Sequence, residues 1–241
     1  MLIRINKYLA NIGISSRRKI DTLIYQSRIT VNGVLALPGQ KIDPSSDSLK
    51  IDGKLVQKYQ PDLEYIILNK PRKVLSTTKD DKGRNTVLKY VDTPNRLYPV
   101  GRLDNESTGL IILTNDGDLT QLMTHPKFHL PKTYLVSTSS KVDQDHIQKI
   151  RQGIAIDGIV TKPAIVNLYS KNANMTTLKI TLFEGRNRQI RKMFKLLKLD
   201  ISSLHRISIG QIHLGHLKPG QSRPMTLTEI KLLKTPVDTG V

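Results

Sequence analysis

Apolar positions follow two rhythms along this chain. Over residues 3–12, Ile5, Leu9 and Ile12 fall at helical spacing, and Gly13 follows where a helix would stop. Ile20, Leu23 and Ile24 repeat that period behind Ser15-Ser16, either of which suits an N-cap. Two short strands come next, residues 28–33 (RITVNG) and 49–54 (LKIDGK), running into Asn-Gly and Asp-Gly turns. Residues 57–63 (QKYQPDL) are polar, contain a proline and read as a linker. From Tyr65 the pattern changes: residues 65–71 (YIILNKP) read as a buried strand, 97–100 and 110–113 are apolar runs, 131–136 (PKTYLV) reads as a strand with Tyr134 exposed on one face, and 177–183 alternates as a strand does. A helix is expected from about Asp118 to His125-Pro126, and an amphipathic one from about Asn187 to Lys198, with Ile190, Met193, Phe194 and Leu197 on its apolar face.

Charge narrows the class. The 241 residues carry 38 Lys and Arg against 20 Asp and Glu, a net charge of +18, and 38% are apolar, enough to build a core. That excess of positive charge repels itself unless a polyanion offsets it, so nucleic acid is the first partner to consider and an anionic membrane the second. No apolar run approaches the ~18 residues of a membrane span. The opening MLIRINKYLANIG is too short and interrupted in its apolar stretch for a signal peptide. Cysteine is absent, which removes disulfides and thiolate metal sites. The expectation is a soluble cytoplasmic protein that binds RNA or DNA.

Cations collect in two places. Arg17, Arg18 and Lys19 occupy the first turn of the second helix, where the helix dipole disfavours positive charge. A phosphate docked at the helix start would offset both. On the polar side of residues 187–198, Arg188, Arg191, Lys192, Lys195 and Lys198 are three and four apart and repel one another unless an anion lies along them. Candidate metal groups are weak. Asp116 and Asp118 suit a turn and an N-cap, and His213 and His216 have no third ligand nearby in sequence.

The stretch 101–118 (GRLDNESTGLIILTNDGD) holds Arg102 and Asp104 on a turn between two apolar runs, where a rigid frame can aim them. An isolated Asp in such a turn is ordinarily a turn residue. The whole stretch, however, closely resembles the catalytic signature of bacterial ribosomal RNA pseudouridine synthases of the RsuA/RluB type. NKPRKVLST (69–77) and EGRNRQIRKMF (184–194) resemble further motifs of that family, with Lys73 where it commonly has Gly. NKYLANIG, SSRRK and RITVNG resemble the small S-four-like RNA-binding domain, with Ser27 in place of its usual Gly.

The resemblance covers about residues 1–233. It implies an S-four-like domain over 1–56, a linker over 57–63, a catalytic domain over 64–233 and a tail over 234–241. The fold implied is α+β, a large mostly antiparallel sheet with flanking helices preceded by a small α/β domain. By the same resemblance Asp104 is the catalytic aspartate, Arg191 pairs with it and would hold it ionised, and Tyr134 packs against the target base. Arg17, Arg18, Lys19, Arg28, Lys70, Arg72, Arg102, Arg186, Arg188, Lys192 and Lys195 are expected to contact RNA.

Uridine-to-pseudouridine isomerisation needs no redox change, phosphate transfer or metal. With no P-loop and no dinucleotide glycine motif in the chain, a cofactor-free reaction of a monomer is expected, on ribosomal RNA or a pre-ribosomal particle. Asp104 would attack the anomeric carbon, act as a base at the neighbouring ribose carbon, or add to the uracil ring; the three routes stay open. Large-subunit rRNA is favoured over small-subunit rRNA. The competing classes are a non-catalytic ribosome-assembly factor and a DNA-binding protein. The intact Asp104, Tyr134 and Arg191 set argues against the first. The lack of a recognition-helix pair argues against the second.

Overall fold

A computed structural model describes residues 1–59, 61–124 and 130–234, so the expected helix end at His125-Pro126 and most of the expected tail lie outside the described residues. The chain forms two compact units. The first comprises Met1–Glu64 with Thr93–Arg96 and Asn115–Gly117, and the second the rest of the chain.

In the first unit, β1 (Ile3–Arg4) leads into α1 (Ile5–Asn11) and α2 (Arg17–Tyr25), followed by β2 (Ile29–Val31), β3 (Val34–Leu35), β4 (Lys41–Ile42), β5 (Leu49–Ile51) and β6 (Lys54–Leu55). The first helix is shorter than its periodicity predicts, because Ile3 and Arg4 pair with Ile42 and Lys41. Ser16 caps α2, its side chain accepting the Lys19 amide at 3.3 Å. Asn32-Gly33 and Asp52-Gly53 each take two successive positive φ angles (51° and 86°, 51° and 76°), which turns the strands back on themselves in the order β3-β2-β5-β6. Ile5, Leu9, Ile20, Leu23, Ile24, Ile29 and Leu49 form its core. Ser27 stands at φ 55°, a conformation that explains a glycine preference there.

The second unit runs β7 (Tyr65–Lys70), β8 (Tyr98–Val100), β9 (Thr108–Thr114), α3 (Gly117–Thr124), β10 (Lys132–Thr138), α4 (Gln144–Gln152), a hairpin of β11 (Ala155–Ile156) and β12 (Ile159–Val160), β13 (Ile165–Lys171), β14 (Thr176–Leu182), α5 (Gln189–Leu196), β15 (Ile201–Ile209), β16 (Ile212–His213), β17 (Ser222–Pro224) and α6 (Leu227–Lys234). One large sheet has the order β13-β14-β10-β15-β9-β7-β17, with β16 on β15 and β8 on β9. Among the described residues its ladders are antiparallel, except for β9 beside β15.

The parallel join depends on one glycine. Gly109 stands at φ 105°, and a Cβ there would lie 2.2 Å from the Arg206 carbonyl oxygen. No larger residue permits that approach.

Side chains of β7 and β9 alternate between two cores. Ile67, Leu110 and Ile112 pack with Leu119, Met123 and Ile209, whereas Ile66, Leu68, Ile111 and Leu113 pack with Val74, Val87, Leu97 and Leu103. Burial on both faces is why these strands read as unbroken apolar runs. A further core joins β10, β13, β14 and β15 to α4 and α5 through Val136, Val166, Leu178, Ile180, Ile190, Met193 and Phe194. In β15, Leu204 is buried and Ile207 half-buried.

Candidate active site

The loop from Gly101 to Ser107 leaves β8 and enters β9 beside the Gly109 junction, next to the start of α5. Residues 70–76 anchor it from the other side. Ser76 Oγ donates to the Leu103 carbonyl at 2.9 Å and accepts the Leu103 amide at 3.1 Å. The Lys73 amide donates to the Asn105 carbonyl at 2.8 Å. Lys73 holds φ 61° to do so, which accounts for glycine being common in its place. Arg72 and Glu106 form an ion pair at 2.6 Å. Asp104 is thus fixed between residues held on both sides, and Ser107 closes the turn by donating its amide to the Asp104 carbonyl at 3.0 Å.

The opposite wall is the segment 184–191. Glu184 accepts Gln189 Nε2 at 2.8 Å and Arg186 Nε at 3.1 Å, and Gln189 Oε1 accepts the Arg186 amide at 3.1 Å. This closed network brings Arg188 to φ 52° as the residue before α5. From there Arg188 Nη1 reaches to 3.7 Å of Asp104 Oδ2, and Arg191 Nε, one turn into the helix, to 3.5 Å. Arg191 Nη2 donates to Ser107 Oγ at 3.2 Å, while its buried Nε makes no hydrogen bond. An open cleft results, lined by Arg102, Asp104, Ser107, Tyr134, Arg188, Arg191 and Leu204 among others. A carboxylate facing two guanidiniums beside an aromatic ring is equipped to act at a sugar or base while holding an anionic backbone.

Asp104, Tyr134 and Arg191 therefore meet, with Arg102 and Arg188 on the same cleft. Tyr134 is less exposed than its strand position suggested; it is half-buried and packs against both adjoining cores. Arg17, Arg18 and Lys19 are exposed in the first turn of α2, as expected.

Several of the residues expected to contact RNA have partners within the chain. Lys70 is fully buried, because β7 carries it inside and the chain after it folds over. Its ammonium donates to the carbonyls of Val74 at 2.7 Å and Pro71 at 3.0 Å, and lies 3.5 Å from that of Asn105. Burial lowers its pKa to about 8, against the attraction of Asp104 and Glu106. Arg186 is spent on the fold: besides Glu184, its guanidinium binds the carbonyls of Ile159 at 2.9 Å and Val160 at 2.8 Å, clamping the β11–β12 hairpin. Arg28 is paired in a two-pronged contact with Asp52, Arg72 with Glu106, and Lys192 with Asp157.

The cationic helix face is also revised. Helix α5 spans Gln189–Leu196, so Arg188 and Lys198 lie outside it, and Arg191 turns inward with 19% of its side chain exposed. Lys195 keeps an exposed position on the helix.

Four residues of the site carried no signal strong enough to be singled out: Ser76, Ser107, Glu184 and Arg206. Arg206 is buried behind the junction, where its Nε donates to the Leu110 carbonyl at 2.7 Å and its Nη2 has no hydrogen-bond partner. Serines and glutamates inside motif-like loops look like surface residues until their partners are known. Among the described residues no group of three or more His, Cys, Asp or Glu is placed to hold a metal ion, and no helix is long and apolar enough to cross a membrane.

Comparison with known proteins defines the class. The model of the RNA pseudouridylate synthase family matches residues 64–196, more than half of the chain, and that of the S4 domain matches residues 3–48. The chain belongs to the RNA pseudouridylate synthase family and carries an S4 domain at its N-terminus. It is 36% identical to the ribosomal large subunit pseudouridine synthase B of Bacillus subtilis (strain 168), over 98% of each protein. It is 35% identical to the dual-specificity RNA pseudouridine synthase RluF of Escherichia coli (strain K12), over 95% of this chain and 77% of that one. A crystal structure of a pseudouridylate synthase superposes with a TM-score of 0.70 at 31% identity, covering 96% of this chain and 99% of the other. The sequence-based expectation of an RNA pseudouridine synthase with the α+β fold of that family is borne out.

Proposed function

We propose that the protein converts one uridine of large-subunit ribosomal RNA to pseudouridine, without a cofactor, at Asp104. The observation that carries the proposal is the convergence of Asp104, Arg191 and Tyr134, distant in sequence, on one cleft. Similarity to the large-subunit synthase of Bacillus subtilis supports the choice of substrate.

Isomerisation breaks the bond from ribose C1′ to uracil N1, turns the base and forms the bond from C1′ to C5. The proton lost from C5 balances the one gained at N1. A duplex or stacked loop hides C1′ and C5, so the uridine is extruded first, and Tyr134 supplies a flat surface for the displaced ring. Asp104 then acts on the sugar as nucleophile or base, or adds to the ring. Arg191 neutralises and orients it, and Arg102 occupies the gap left in the RNA or contacts its backbone. Residues 1–56 serve as the RNA-binding module and residues 64–233 as the catalytic domain of a cytoplasmic monomer that acts during ribosome biogenesis on free rRNA or a precursor particle. Arg17, Arg18, Lys19, Arg102, Arg188 and Lys195 make its RNA contacts.

The test is pseudouridine mapping by carbodiimide-primed reverse transcription on 23S and 16S transcripts treated with wild-type and Asp104→Asn protein. A stop on 23S RNA with wild type alone is the expected result. Turnover by Asp104→Asn would remove Asp104 from its role, and a stop on 16S RNA alone would reassign the substrate.

A further inference from the structure

Helix α5 ends in a closed cap. The Leu199 amide donates to the Phe194 carbonyl at 2.9 Å and the Lys198 amide to the Lys195 carbonyl at 3.1 Å, with Lys198 at φ 58°. Such caps favour glycine or asparagine at the left-handed position; here it carries a long cation instead. Beside this cap lies an open hollow lined by Arg188, Arg191, Lys195, Lys198, Asp200 and Ile201, with Leu199 at its base. Arg188 and Arg191 also line the candidate active site, so the hollow opens directly off it.

The charges are unbalanced. Asp104 answers the two arginines from the active-site side. Lys195 and Lys198 are exposed, and among the described residues neither has an acidic partner. Asp200 is the lone acid on the lining. Four cations converging on one hollow repel one another until an anion enters. The lining holds no aromatic side chain on which a base could stack. Its chemistry suits a chain of phosphates rather than nucleobases.

We propose that this hollow is a phosphodiester subsite, in which Lys195 and Lys198 hold the backbone of the RNA strand adjoining the extruded uridine. The inference rests on the RNA substrate assigned above and adds the path the strand takes as it leaves the cleft. It also separates Lys195 and Lys198 from Lys192, whose charge is already met by Asp157.

The test is lysine footprinting of the full-length protein. Exposed amines are acetylated with and without excess 23S rRNA transcript and read by mass spectrometry, with the exposed Lys171 of edge strand β13 and Lys179 of β14 as internal references. Lys195 and Lys198 should be protected several-fold more than the references. A second measurement follows affinity for the same RNA across 50–300 mM KCl. Two lost phosphate contacts on a single strand should flatten the log-log salt slope of Lys195→Gln/Lys198→Gln by about 1.4.

Equal labelling with and without RNA would overturn the subsite. So would an unchanged slope accompanied by a lower melting temperature, since that is what two cations serving only the helix dipole would produce. Failure of the catalytic assignment is read separately. If the transcript gains no pseudouridine while both lysines are protected, the subsite stands and the chemistry is reassigned.

Discussion

Ser107 Oγ accepts Arg191 Nη2 at 3.2 Å, and the Ser107 amide closes the turn on the Asp104 carbonyl at 3.0 Å. One residue, 1% exposed, thus sets the position of both members of the ion pair. With the hydroxyl removed, a half-buried guanidinium loses an acceptor, at a cost of about 1–3 kcal/mol. Ser107→Ala is expected to slow single-turnover pseudouridine formation about 10- to 100-fold, with RNA affinity unchanged. Rapid-quench kinetics and a binding titration on the same RNA check this, and an unchanged rate would mean that Asp104 alone orients Arg191.

Gly109 has a different weight. Its positive φ and the 2.2 Å approach of the Arg206 carbonyl leave no room for a methyl group. Gly109→Ala should destabilise the catalytic unit by about 3 kcal/mol or more, because the parallel join of β9 and β15 must open. Urea unfolding measures the loss, and near-wild-type stability would show that the join adapts.

Arg186 should behave as a structural residue. Arg186→Met removes the clamp on Ile159 and Val160 and leaves Glu184 one donor short. A stability loss of about 1–3 kcal/mol is expected from these bonds, with the salt slope of RNA binding unchanged. A flattened slope would return Arg186 to the RNA contacts.

Lys70 makes stability depend on alkaline pH. Its folded pKa is near 8 against 10.5 for an exposed lysine, with burial the main cause. Below pH 8 both states carry the proton and the folded one bears the desolvation cost. Between about pH 8 and 10.5 the unfolded chain binds more protons, so this group's contribution to stability rises with pH. The stability of wild type relative to Lys70→Met should therefore grow across that window in paired urea titrations. A constant difference would place the Lys70 pKa outside it.

Much of the fold was legible because local patterns and tertiary burial agreed. The β7 and β9 runs, the apolar face of α5 and the Asn32-Gly33 and Asp52-Gly53 turns all read correctly, since each encodes its environment in a few neighbouring residues. The cations are told apart only by their surroundings. Lys70, Arg186 and Lys195 look alike in a basic sequence, but one is buried under a loop, one clamps a hairpin and one faces solvent. A charged side chain's role depends on what the rest of the chain brings to it.

By itself, the sequence determined several elements, β7, β9 and α5 among them, and the basic character that points to a polyanion, and through its resemblance to a known family it gave the α+β class and the candidate trio of Asp104, Tyr134 and Arg191. The elements and the charge are properties of short-range periodicity and composition; the class and the trio rest on the resemblance of the motifs. Tertiary structure alone decided that Ser107 and Ser76 anchor the loop, that Gly109 admits the Arg206 backbone, and which of the cations remain open to a polyanion. Those outcomes depend on contacts between residues tens of positions apart, whose distances only the folded chain sets.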